Sequence, residues 1–176
     1  AFAKENADEI GFHVWLQFLA DRQLAAAARS CREAGMRIGL YLDLAVGEEP
    51  DGSATWSAPD AYVMGATVGA PPDYFSRQGL DWGISAFSPL ALEHLDLAPF
   101  AETIEGTARH AGALRIDHVM ALRQLFLVPE GTRPIQGAHL RYPIERLLDC
   151  LATVSNAKRF IVIGEDLGHV PEGFRE

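Results

Sequence analysis

Two stretches of this 176-residue chain set carboxylates where chemistry could use them. Leu114-Arg115-Ile116-Asp117-His118-Val119-Met120 places charged side chains inside an apolar run. Phe160-Ile161-Val162-Ile163-Gly164-Glu165-Asp166 repeats that grammar, an apolar run closing on glycine and then acid. Leu114, Ile116 and Val119 predict a short buried strand that ends at Asp117. Arg115 lies two residues upstream, on the same strand face. Burial raises a carboxylate's pKa and a neighbouring guanidinium lowers it, so this pair can hold Asp117 ionised in an apolar site. On the second strand Gly164 allows close backbone approach, Glu165 projects from the end, and Asp166 turns away. Either acid alone fits a helix cap or a loop ion pair. Their recurrence on two successive strands points instead to glycosyl chemistry, one carboxylate from each strand end at the mouth of a β/α barrel.

Other chemistries find less to work with. No cysteine and histidine spacing suits zinc, no loop suits EF-hand calcium, and no glycine-rich phosphate loop is present. Asp117, His118, Glu165, Asp166 and His169 could together hold a hard metal, as barrel mouths sometimes do. The expectation is nevertheless no metal and no cofactor. A net charge of −9 argues against nucleic-acid partners and against a basic membrane-facing patch. No apolar run approaches a membrane span, and Cys31 and Cys150 read as two reduced, buried thiols of a cytoplasmic protein.

The elements that position these acids follow from the hydrophobic pattern. Asn6 and Glu9 have capping-box spacing, and Ile10, Val14, Phe18, Leu24, Ala28 and Cys31 form a helical stripe closed by Gly35. His13, Trp15 and Gln17 are expected to pack. Met36 to Leu44 alternates as a strand ending near Asp43, which suits either a site or an ion pair. Residues 45 to 90 break the pattern, with six of the sixteen glycines and five of the ten prolines. So long a loop is usually functional. Its aromatics Trp56, Tyr62, Tyr74, Phe75, Trp82 and Phe87 mix with acids and amides, as a sugar-binding surface requires, although some must form the loop's own small core. Trp82, between Gly79 and Gly83, is the expected sugar platform. A helix from Phe100 to Ala111, with Ile104, Ala108 and Ala111 inward, precedes the Asp117 strand. A turn at Pro129-Glu130-Gly131 and a helix starting at Pro143, with Leu147, Leu148, Leu151 and Val154 on one face, precede the strand from Phe160 to Ile163. This order predicts an α/β fold.

Several of these stretches resemble a known family. LRIDHVMALRQLFLVPEG, GAHLRYP and IVIGEDLG, with FHVWLQFLADRQL and IGLYLDLAVG nearer the start, resemble the amylomaltases, the 4-α-glucanotransferases. The resemblance runs in order from about Phe12 to Pro171. It implies that residues 1–176 are a fragment of one catalytic domain, a partial (β/α)8 TIM barrel whose remainder lies in the parent chain. The 45–90 segment is then an active-site loop insertion after strand 3. It implies retaining transfer of α-1,4-glucan segments between malto-oligosaccharides and glucose, with Asp117 as nucleophile and Glu165 as acid and base. PPDYFSRQGLDWG resembles the loop that folds over the donor glucan, so Asp73, Tyr74 and Trp82 would line the groove. By the family match Asp51, in EEPDGSATW, contacts sugar near the scissile bond and His118 meets the sugar at the cleavage point, while Arg115, from its place on the strand, keeps Asp117 anionic. Leu80 departs from the family, which commonly has glutamine there. The family's third acid sits in a His-Asp pair, and none of the six histidines here precedes an aspartate. These 176 residues alone are therefore expected to be inactive. The alternatives are an α-glucan hydrolase or branching enzyme of the α-amylase clan, or a non-catalytic glucan-binding protein.

Overall fold

The computed structural model describes residues 2–168 and 170–175. In chain order the elements are α1 (Phe2–Glu5), α2 (Ala7–Glu33), β1 (Tyr41–Leu44), α3 (Ser53–Ser57), β2 (Ala66–Ala70), β3 (Leu80–Ile84), α4 (Pro89–His94), α5 (Ala98–Thr107), β4 (Ala113–Ile116), β5 (Gln124–Pro129), β6 (Ala138–Arg141), α6 (Ile144–Lys158) and β7 (Ile161–Gly164). They build two sheets. One is parallel, in the order β1-β4-β7; the other is antiparallel, in the order β3-β2-β5-β6. The chain is thus α/β with mixed sheets.

The larger core fills the space between the parallel sheet and helices α4, α5 and α6. Leu44, Leu114, Ile116, Leu92, Phe100, Ile104, Leu147, Leu151, Val154 and Phe160 are all buried there. Ile104 and Leu114 have no exposed surface, and each such side chain contributes roughly 1.5–3 kcal/mol. Leu148, expected on the same face of α6, is instead 46% exposed. A smaller cluster of Val68, Ala86 and Leu125 backs the antiparallel sheet.

The structure departs from several of these expectations. The strand predicted from Met36 begins only at Tyr41, because Gly35 and Gly39 adopt φ of 76° and 79° and bend the lead-in. That lead-in still passes close by: a Cβ on Gly112 would lie 1.6 Å from the Ile38 carbonyl oxygen, so only glycine fits at 112. Residues 45 to 90 are not irregular, since they supply α3, β2 and β3, and β2 completes its pairing with β5. Finally, the capping box at Asn6 does not form. Asn6 Nδ2 donates to the Phe2 carbonyl 2.9 Å away, tying α2 to α1. The stripe on α2 does not face the core either. Ala28 is its only buried residue among those described, and His13, Trp15 and Gln17 stand in solvent. The His110 ring nitrogen, 2.8 Å from the Asp21 carboxylate, fastens α2 to the turn before β4.

Candidate active site

The parallel sheet fixes the two acids. Leu44 pairs with Ile116 and Ile116 with Gly164, so the next residues leave the same sheet end side by side. The Asp117 N–H donates to the Leu44 carbonyl (3.0 Å) and the Glu165 N–H to the Ile116 carbonyl (2.9 Å). Each acid is therefore held at the last rung of its ladder.

Arg115 reaches both Asp117 (3.0 Å) and Asp43 (3.4 Å). It bridges acids from two strands rather than serving Asp117 alone. Partial burial works to lower its pKa, but the Asp43 carboxylate, joined by the charges of Asp117 and Glu165, outweighs this and holds the guanidinium above its ordinary value.

Glu165 is gripped by backbone. Its Oε2 accepts the His118 N–H at 2.8 Å, its Oε1 the Leu167 N–H at 3.0 Å, and its carbonyl the Val119 N–H at 2.8 Å. His118 achieves this only by taking a left-handed conformation, φ 48° and ψ 59°. For a residue with a side chain that strain costs about 1–3 kcal/mol, and such strain clusters at working sites. Gly164 permits the close packing: a Cβ there would lie 2.9 and 3.0 Å from the Val119 methyls. Asp166 does turn aside, pairing with Arg175 at 2.5 Å.

The His118 ring meets Trp82 edge-to-face, with centroids 5.6 Å apart and planes at 86°. Burial lowers the imidazole pKa, against the opposing charges of Glu165 and Asp117. The ring is accordingly neutral near pH 7, with one donor and one acceptor. Trp82 itself is 38% exposed. Asp73, Trp82 and His118 line one groove of about 200 Å3, together with Gln124, Phe126 and His139. Asp73 also shapes its own loop, its Oδ1 accepting the N–H groups of Phe75 and Ser76 at 2.9 and 2.6 Å. Tyr74 is 92% exposed, edge-on to Phe75, and stands outside that groove. Asp51 lines a different groove, of about 580 Å3, with Trp56, Thr67, Asp81 and Glu130. Of the loop aromatics, Tyr62 and Phe87 stack at 4.9 Å as the loop's own small core.

Gln124 and His139 carried no functional expectation from sequence. Their signal was positional: Gln124 and Phe126 alternate with Leu125 and Leu127, so one strand face had to be polar or aromatic. Among the described residues no three His, Cys, Asp or Glu side chains cluster closely enough to share a metal ion. His169, named above as a possible ligand, lies outside the described residues. Cys31 and Cys150 are unpaired and half-buried rather than buried, and burial raises the Cys150 thiol. No helix among the described residues is long and apolar enough to cross a membrane.

The 4-alpha-glucanotransferase family model matches residues 1–176. The chain is 39% identical to the 4-alpha-glucanotransferase of Mycobacterium tuberculosis, over 99% of its own length and 24% of that protein. It is 38% identical to the enzyme of the same name from Haemophilus influenzae, over 99% of its length and 25% of that one. The crystal structure of amylomaltase from Corynebacterium glutamicum superposes with a TM-score of 0.89 at 37% identity, covering 96% of this chain and 24% of that one. An amylomaltase from Streptococcus agalactiae, solved in complex with acarbose, shares the fold at a TM-score of 0.85 and 20% identity. The chain thus spans about a quarter of the length of the curated relatives first matched. With the family model matched from end to end and the fold shared, the chain belongs to the 4-alpha-glucanotransferase family.

Proposed function

We propose that the parent protein transfers α-1,4-glucan segments between malto-oligosaccharides, with retention of configuration, and that glucose can serve as acceptor. The observation that carries this reading is the pairing of Ile116 with Gly164, which sets Asp117 and Glu165 on adjacent strand ends. Neighbouring strands lie about 4.8 Å apart. That suits the separation of about 5–5.5 Å between the carboxyl groups of retaining enzymes.

Asp117, steadied by Arg115, attacks the anomeric carbon and displaces the leaving sugar. Glu165 gives its proton to the departing glycosidic oxygen, leaving a glycosyl ester on Asp117. Glu165 then takes the proton of the acceptor's 4-hydroxyl as that oxygen displaces Asp117. His118 meets the sugar at the cleavage point, and Trp82 stacks on an apolar sugar face. Asp73 and Tyr74 line the donor-glucan groove and Asp51 contacts sugar near the scissile bond, while the covering loop excludes water so that transfer wins over hydrolysis. The three parallel strands belong to a (β/α)8 barrel, residues 1–176 to its catalytic domain, and residues 45–90 to an insertion over its mouth. The rest of the barrel and a third acid lie elsewhere in the parent chain, which works in the cytoplasm.

The test is maltotriose disproportionation by the full-length protein, followed as glucose release. Asp117→Asn should lower kcat by at least about 1,000-fold, some 4 kcal/mol of lost transition-state stabilisation. An Asp117→Asn enzyme within tenfold of the parent would remove Asp117 as nucleophile.

A further inference from the structure

The strands after β4 bring a second surface to the same groove. Leu125 belongs to the smaller core cluster and Leu127 packs against it, so that face of β5 is turned inward. The opposite face carries Gln124 and Phe126. In the β5–β6 register Phe126 sits across from His139, and their rings meet edge-to-face at 5.2 Å and 69°. Phe126 is buried and holds the imidazole, while His139 itself is exposed. Gly137 makes this arrangement possible, since a Cβ there would lie 2.5 Å from the Phe126 ring. Gln124 and His139 line the groove with Trp82 and His118. Among the described residues neither side chain is hydrogen-bonded, so an amide and an imidazole stay open toward the groove.

We propose that Gln124 and His139 form a glucosyl-binding wall of the groove that holds Trp82 and His118. The inference rests on the transferase reading and adds a subsite to it. The chemistry is that of a hexose. Aromatic edges meet the apolar C–H face of the ring, and an amide with a neighbouring ring nitrogen takes and gives hydrogen bonds to its hydroxyls. The groove, at about 200 Å3, is of the order of a single sugar ring. Gln124 and His139 come from adjacent strands, two rungs apart on the β5–β6 ladder, so they meet different hydroxyls of that ring.

The test is calorimetric binding of maltoheptaose to the full-length protein carrying Asp117→Asn, which prevents turnover. His139→Ala and Gln124→Ala are then added one at a time. Each should raise Kd about tenfold, the equivalent of one lost hydrogen bond with its ring contact. His139→Gln, which keeps a hydrogen-bonding side chain, should recover part of that loss; a merely structural role would give no such recovery. His139 is exposed on the outer strand of its sheet, so its replacement tests binding rather than folding, and an unchanged melting temperature confirms it. Maltoheptaose that binds with a Kd unchanged within twofold in both alanine variants overturns the inference and leaves the transferase reading intact. A parent protein with no measurable maltoheptaose binding overturns both.

Discussion

Gly164→Ala should damage the reaction more than the fold. The new Cβ would sit 2.9 Å from one Val119 methyl, 3.0 Å from the other and 3.1 Å from the Val119 Cβ. Ordinary contact begins near 3.4 Å, so Val119 must withdraw by about 0.5 Å. Val119 donates its N–H to the Glu165 carbonyl, and the preceding His118 N–H holds Glu165 Oε2 at 2.8 Å. Carried through the backbone, the same shift stretches that hydrogen bond to roughly 3.3 Å, past the useful range. A misplacement of 1 Å can cost about 100-fold in rate, so half of that predicts about tenfold in kcat. Overpacking should cost about 1–3 kcal/mol of stability. The assay is maltotriose disproportionation by the full-length protein, alongside its thermal unfolding. Adding Val119→Ala removes both clashing methyls, so the double variant should regain most of the lost kcat, with a coupling of about 1 kcal/mol between the sites. A Gly164→Ala enzyme with parental kcat, or a double variant no better than the single, would refute the idea that this contact sets the position of Glu165.

Two further outcomes follow from the groove. Trp82→Ala in the full-length protein should weaken long glucans by about 1–2 kcal/mol and raise the ratio of hydrolysis to transfer, read by counting glucose and oligosaccharide products; unchanged partitioning would make Trp82 a packing residue. His118 has a folded pKa below its ordinary value, so its neutral form is the one the fold favours. Its contribution to stability is therefore complete above about pH 6.5 and is lost as pH falls through the lowered folded value. The stability difference between the parent and His118→Asn, from melting temperatures across pH 4.5 to 8, should shrink toward acid, and a constant difference would contradict this.

The acids were legible because strand ends advertise themselves. Ile116-Asp117 and Gly164-Glu165 each place a charge after an apolar run, and Arg115 falls on the face where it meets Asp117. Gly164 was legible as a close approach, although its partner, Val119, was not. The antiparallel sheet was hidden for a different reason. β2 and β3 are five residues each, each with one glycine, and β2 owes half its pairing to β5, more than fifty residues later. Short-range periodicity cannot report such a partner. The lead-in to β1 misled because Met36 and Ile38 keep strand alternation while two left-handed glycines bend the backbone. The stripe on α2 misled because periodicity records a face fit for burial, not what covers it; Val14 and Phe18 are 63% and 53% exposed in these residues. Asp73 showed its acid but not that one oxygen is spent on its own loop.

The antiparallel sheet also imposes a timetable on synthesis. Its hairpin β2–β3 precedes β4 in the chain, whereas β5 and β6 follow it. An isolated hairpin is marginal in water. As the polypeptide leaves the ribosome, the strand that bears Trp82 must wait for Arg141, 57 residues beyond Ile84. At about 5–20 residues per second, that is a delay of roughly 3–11 seconds. Until β5 docks, the outer edge of β2 is an open template for another nascent chain, and from then until β6 docks the outer edge of β5 is one. Codon changes that slow translation between Ile84 and Arg141 would lengthen this vulnerable interval without altering a single amino acid.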